Sequence, residues 1–195
     1  NGASFFIDKY SRFVWDCLPT DVEFGVDGGL YFTDWVFGWD KTGQGRIYRV
    51  HNSQISNGDQ VATVQALLAK GMKGKTPAEL LTLFGNPDSR VRLDAQYELA
   101  SRGPAKARLV RDFAVASVNR LVRLHCVWTL GQMAWQDRSV LDLVIPFLDD
   151  GDPIVTRQAL RILGEFGWKN SYSKVADHLT SEDPQIRFYA ALNLG

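Results

Sequence analysis

Two hydrophobic patterns divide the chain. After residue 76 the apolar positions recur with helical spacing. Val91, Val122, Val155 and Ile186 stand 31, 33 and 31 residues apart. Four residues after each comes a small residue: Ala95, Cys126, Ala159 and Ala190. Four further on stand Leu99, Leu130, Leu163 and Leu194. Spacing of i, i+4, i+8 is one stripe of a helix, and the small residue in its middle admits a second helix closely. Asp88, Asn119, Asp152 and Asp183, three residues before each anchor, are placed to cap those helices.

An amphipathic segment precedes each of these helices. Its apolar residues are Leu80, Leu81 and Phe84 in the first unit, and Leu109, Val110 and Phe113 in the second. The third offers Leu141, Val144, Ile145 and Leu148, the fourth Tyr172, Val175 and Leu179. Each unit therefore reads as a helical hairpin, and stacking the hairpins buries stripes that none buries alone. Pro146 predicts a kink in the third unit's first helix. Thr76-Pro77-Ala78-Glu79 has the form of a capped helix start.

Residues 1–50 alternate instead in short aromatic and β-branched runs. Ser4–Ile7, Phe13–Trp15, Val22–Phe24, Leu30–Thr33 and Arg46–Val50 are strand-like, separated by Asp-Gly and Gly-Gly turns. About four strands in fifty residues is the size of one β-propeller blade. Trp15, Trp35 and Trp39, with Phe5, Phe6, Phe13, Phe24, Phe32 and Phe37, load this sheet beyond what it can bury alone. The load implies a partner surface, either neighbouring blades or the helical half. Residues 51–75 read as a connector, with a short helix from Asp59 carrying Val61, Val64, Leu67 and Leu68 on one face and ending at Lys70-Gly71. The expected fold class is mainly α: an α-solenoid over 76–195, with about four repeats and the last truncated, behind a small antiparallel meander.

Charge is balanced at 22 basic and 22 acidic residues, and both halves are balanced separately. A nucleic-acid partner or a polybasic membrane contact is not expected of such a surface. No apolar run is long enough to span a bilayer. Cys17 and Cys126 make no CxxC pair, and the three histidines, His51, His125 and His178, have no second ligand at a metal-binding spacing. No metal ligand and no catalytic residue is assigned. Both ends of the sequence read as excision points.

Two candidate sites remain. Asp34-Trp35 opens a loop that runs through Trp39-Asp40. The carboxylates suit a cation or a sugar hydroxyl, and the indoles suit a sugar ring; alternatively Asp34 caps turn amides and the tryptophans pack. Arg92, Arg123 and Arg187 share one repeat position, with Arg157 one residue beyond it in the third unit. They form either a ladder for an acidic partner or a set of intramolecular ties to caps and helix ends.

The anchor, Ala and Leu positions resemble HEAT repeats, in the short-period form also found in phycobilisome lyases. Asp21–Trp35, reading DVEFGVDGGLYFTDW, resembles the DxxFGPDGxLYxxDW blade motif of large membrane-bound dehydrogenase-like proteins of planctomycetes and verrucomicrobia. Gly43–Arg49, GQGRIYR, is similar to the strand that closes their propeller. Val26 replaces the motif's usual proline. The resemblance implies a propeller followed by HEAT repeats and then a cytochrome c domain, in a periplasmic or secreted protein. This stretch would be a non-catalytic scaffold with no cofactor of its own. The parent would carry haem c, with a quinone cofactor or calcium as further candidates. Its partners would be the rest of its propeller, the downstream cytochrome c domain and other proteins. The alternatives are a loop that adds ligand residues to a sugar or quinone-cofactor dehydrogenase site of the propeller, and an independent HEAT recognition module.

Overall fold

A tight turn over Gly25–Gly29 sets the first strand pairing of the sheet. Gly28 takes φ +73, the left-handed region that Gly reaches without Cβ strain. The turn closes with Gly25 N–H donating to Gly29 O at 2.7 Å. It joins β1 (Pro19–Phe24) to β2 (Leu30–Asp34), which pairs with β3 (Arg46–Val50). The sheet is antiparallel in the order β1-β2-β3, with Val22, Phe32 and Tyr48 in one cross-strand row. Phe32 stacks on Tyr48 with ring centroids 5.0 Å apart. This computed structural model describes residues 7–36, 43–56 and 58–195. Ser4, Phe5 and Phe6 of the expected Ser4–Ile7 run, with Phe37, Trp39 and Asp40, lie outside the described residues; Ile7 is exposed and not in a strand.

Phe13–Trp15, expected as a strand, is irregular and exposed. The backbone leaves extended geometry at Asp16, where φ is +53. The next amide to be bound, that of Leu18, donates to the Asp34 carboxylate and not to a strand. The described meander therefore has three strands. The helices α1 (Ser53–Ser56) and α2 (Asp59–Lys70) follow it, and α2 stops at Gly71 with φ +71. Val64 is the buried member of the predicted α2 face.

Contacts divide the chain into two compact units, residues 7–70 and residues 71–195. The second is a stack of four hairpins. α3 (Pro77–Leu83) and α4 (Ser89–Ser101) form the first, and α5 (Ala107–Ala116) and α6 (Arg120–Met133) the second. The third ends in α7 (Pro153–Glu165), and the fourth pairs α8 (Tyr172–Asp177) with α9 (Pro184–Leu194). The second helices pack serially, α4 on α6, α6 on α7 and α7 on α9. The anchors Val91, Val122, Val155 and Ile186 are buried, as are all four small residues and Leu99, Leu130 and Leu163. Leu194, at the last position of α9, is half-buried. The predicted box at the start of α3 forms completely: Thr76 Oγ1 accepts from Glu79 N, and the Glu79 carboxylate accepts from Thr76 N at 2.6 Å.

The first helices depart most from expectation. In the third unit Pro146 does more than kink a helix. The segment winds as two 3-10 pieces, Arg138–Leu143 and Ile145–Asp149. Proline lacks the N–H an α-helix needs and clashes with the preceding turn. A three-residue period then lines up Leu141, Val144 and Phe147 in the core. Phe147 thus takes the place expected of Ile145. In α5 the buried residues are Ala107, Val110 and Ala114, and Leu109 faces out. Leu179, expected on the buried face of the fourth unit, is exposed in a 3-10 turn after α8.

Candidate functional site

The turn between the two helices of each hairpin is built the same way four times. Two residues before each cap stands a short polar side chain. It accepts the cap's own N–H: Asn86 from Asp88, Ser117 from Asn119, Asp150 from Asp152, and Ser181 from Asp183, at 2.9, 3.2, 2.8 and 3.3 Å. The cap side chain then accepts from the amide two residues on, those of Arg90, Leu121, Ile154 and Gln185. These bonds satisfy amides that a helix start leaves unpaired. A third bond runs back from the helix to the carbonyl of the first turn residue. Arg92 Nη1 donates to Asn86 O at 2.7 Å, Arg123 Nη1 to Ser117 O at 3.1 Å, Thr156 Oγ1 to Asp150 O at 3.2 Å, and Arg187 Nη1 to Ser181 O at 2.7 Å.

Two of these arginines also reach the next hairpin. Arg123 holds Asp150 with Nε and Nη2 at 2.9 and 3.2 Å. Arg92 Nε donates to His125 Nε2 at 3.0 Å. A guanidinium cannot accept, so this bond fixes the imidazole tautomer: Nδ1 carries the proton and donates to Gln96 Oε1 at 2.7 Å. His125 is buried, edge-on to Trp128 and tilted against Phe84. Burial first, and then the Arg92 charge, hold its pKa down to about 4.

Along the second-helix face, α6 and α7 enclose an open cleft of about 210 Å³. Trp128, Gln132, Trp135, Gln158, Arg161 and Phe166 line it. Trp128 Nε1 donates to Gln158 Oε1 at 3.0 Å, and Trp135 packs on Phe166 at 4.8 Å. Gly131 keeps the floor low, because a Cβ there would come within 3.0 Å of Ile162. A second cleft, of about 330 Å³, lies between α7 and α9 and shares Arg161 and Glu165 with the first. The surface offers π faces, amides and one Arg–Glu pair.

Residues 109–195 match the family of HEAT repeats. No curated protein matches the chain. The hairpin α3–α4 precedes the matched HEAT segment and has the same turn. The HEAT register also shows what the sequence reading left out. Tyr97, Trp128, Arg161 and Leu192 each stand six residues after an anchor, and Asp94, His125, Gln158 and Tyr189 each stand three after. Lining up the repeats at those two positions would have marked the face that bears both clefts.

Of the arginine ladder, Arg92, Arg123 and Arg187 are engaged within the hairpin turns. Arg157, one residue out of register, bonds Pro153 O of its own helix from an exposed position. Burial pushes the Cys126 thiol well above its ordinary value, which keeps it protonated. In the other unit, Asp34 is buried, and its Oδ1 accepts from Leu18 N at 2.8 Å and Val36 N at 3.0 Å. Those amides lower its pKa. Its Oδ2 has no hydrogen-bond partner among the described residues. Trp35 is half-exposed beside it, while Trp39 and Asp40 lie outside the described residues. Asp27, a turn residue by sequence, also ties the sheet together. It accepts from Gly29 N, Tyr31 Oη and Arg49 Nε, bonds that hold its pKa down to about 2. Among the described residues no group of three His, Cys, Asp or Glu side chains is placed to hold a metal, and no helix is long and apolar enough to cross a membrane.

Proposed function

We propose that this chain is a scaffold segment whose HEAT stack binds protein, and that it joins a β-propeller to downstream domains of a larger dehydrogenase-like, haem-associated protein. One observation carries the scaffold reading. Four hairpins repeat one turn in register, and their second helices present a continuous furrowed face with no catalytic pairing of side chains. Stacked repeats make such extended binding surfaces as a direct consequence of their geometry.

The parent protein is inferred from the blade-like motif at Asp21–Trp35 and from the surface of the sheet unit. Val22, Phe24 and Ile47 are exposed on its strands, and Tyr10, Phe13 and Trp15 are exposed ahead of them. Apolar exposure of this extent marks a surface that another element covers. Further propeller blades would cover it, a cytochrome c domain would follow the HEAT stack, and the protein would work in the periplasm or outside the cell. The test is the flanking coding sequence: blade motifs upstream and a CxxCH motif downstream are expected, and the absence of both overturns the parent reading.

The Asp34 oxygen favours a second reading, in which this loop adds a ligand to a sugar or quinone-cofactor site of the intact propeller. Asp34→Asn keeps the Oδ1 acceptor that the two amides need and removes the charge. In the full-length protein the variant should lose turnover while keeping its thermal midpoint; unchanged turnover removes this reading.

A further inference from the structure

Three side chains from two hairpins make a hydrogen-bonded chain through the stack: Arg92 and Gln96 on α4, with His125 of α6 between them. We propose that this chain is an acid-released latch between the first and second hairpins, and that its release loosens the Trp128 wall of the cleft. The inference stands apart from the proposed parent protein, since it uses only groups inside the HEAT stack.

The geometry leaves the imidazole no room for a second proton. Both ring nitrogens are already bound, Nδ1 as donor to Gln96 and Nε2 as acceptor from Arg92. A proton arriving at Nε2 would set an N–H against the Arg92 N–H, two donors 3.0 Å apart and both cationic. Arg92 cannot step aside freely, because its Nη1 also holds the turn carbonyls of Asn86 and Pro87 at 2.7 and 2.8 Å. Relief must come from parting α4 and α6.

The surroundings offer the imidazolium no counter-charge in exchange. From the first hairpin, Phe84 presents an aromatic face. On α6 itself, Trp128 meets the ring edge-on, and Thr129 Oγ1 donates to the backbone carbonyl of His125. Towards α7, Trp128 is tied to the neutral Gln158. Among the described residues Arg92 is the one charge that acts on the ring. Opening reaches the surface because the partners of His125 also line the cleft: Gln96 accepts its proton, Trp128 packs on its ring, and both face the first cleft.

The test is a titration of the full chain from neutral pH to about pH 3, below the His125 pKa of about 4. It follows the His125 ring and the Trp128 indole N–H by NMR, with amide exchange read along the stack. His125 should stay neutral through pH 5 and then titrate together with a shift of the Trp128 resonance. Exchange over residues 86–97 should rise at the same midpoint while α7 and α9 stay protected. His125→Gln should remove that midpoint. Gln96→Glu gives the ring a carboxylate and should raise the midpoint by about one pH unit, a tenfold change in proton affinity. The Gln96→Glu result decides alone if His125→Gln fails to fold. The latch is overturned if the transition survives in His125→Gln, if Gln96→Glu leaves the midpoint in place, or if protection is lost uniformly from α3 to α9.

Discussion

Arg123 separates the two uses of the arginine ladder, and its removal has a size the structure sets. The pair with Asp150 is nearly dry, with side chains 16% and 9% exposed. Arg123 gives Asp150 two bonds and the Ser117 carbonyl a third. Exposed ion pairs are worth about 0–1 kcal/mol, whereas stripping one partner from a buried pair costs about 3–5 kcal/mol. Arg123→Met leaves Asp150 buried, but Asp150 keeps the Asp152 amide at 2.8 Å, which softens the loss. The expected cost is about 2–3 kcal/mol. Asp150→Asn keeps Oδ1 for the Asp152 amide and Arg123 Nη2 but sets its NH2 against Arg123 Nε, and should cost about 2–3 kcal/mol. The double variant should fall short of the sum by about 1–2 kcal/mol, the coupling of contacting residues. Arg157→Met is the control: its one bond to Pro153 O is exposed, so its cost should stay within about 0.5 kcal/mol. Urea unfolding of the four variants, followed by circular dichroism, reads all these values. If Arg123→Met costs no more than Arg157→Met, Arg123 does not staple the stack and its charge is free for an acidic partner.

Further outcomes follow from single contacts. Gly164→Ala should destabilise the stack by about 1–2 kcal/mol, because the new Cβ meets the Asn193 backbone at 3.1 Å and α9 must retreat. Gly131→Ala meets only the flexible Ile162 side chain, and helix propensity should offset its cost to within about 0.5 kcal/mol; a stabilising Gly164→Ala, seen in urea midpoints, would contradict the packing argument. Thr76→Ala should cost about 1 kcal/mol by loss of the capping box, measured the same way. The His125 pKa of about 4 lies below the roughly 6.5 of an unfolded histidine, so the unfolded chain takes up the proton first. Its stabilisation is complete above that unfolded value and drains away as pH falls towards 4, about 2 kcal/mol between pH 7 and pH 5, a loss that His125→Gln should lack.

What the sequence could reveal depended on the range of the interaction involved. The second helices were readable because anchor, small residue, leucine and cap all lie within one local period. The capping box was readable for the same reason. The first helices were harder. Their winding is decided by one proline in the third unit, and by which of several apolar neighbours meets the core in the second. Leu109 and Val110 are equally apolar, and only the packing of α5 on α6 selects Val110. Phe13–Trp15 has every local property of a strand, yet the Asp34 carboxylate claims the Leu18 amide from sixteen residues away. The face that bears the clefts was readable by lining up the repeats, but the clefts themselves were not. They arise where side chains of different repeats meet, and no single repeat contains the Trp128–Gln158 or Arg92–His125 bond.

The third turn shows how far a repeat position can change residue while its task persists. Thr156 stands where the other units have arginine, and a consensus would score it as a loss. Yet the turn it serves contains Asp150, whose carboxylate is already engaged by Arg123 from the preceding hairpin. A second arginine at 156 would bond the Asp150 carbonyl and bring another cation close to the Arg123 guanidinium, which cannot give up its proton. Thr156 instead makes only the carbonyl bond, at 3.2 Å, and adds no charge. At this junction the cation stands on one hairpin and its acid in the turn of the next, so Arg123 and Asp150 balance each other between repeats. Substitutions at this junction should accordingly change Arg123 and Asp150 together if the register of α6 on α7 is to be kept.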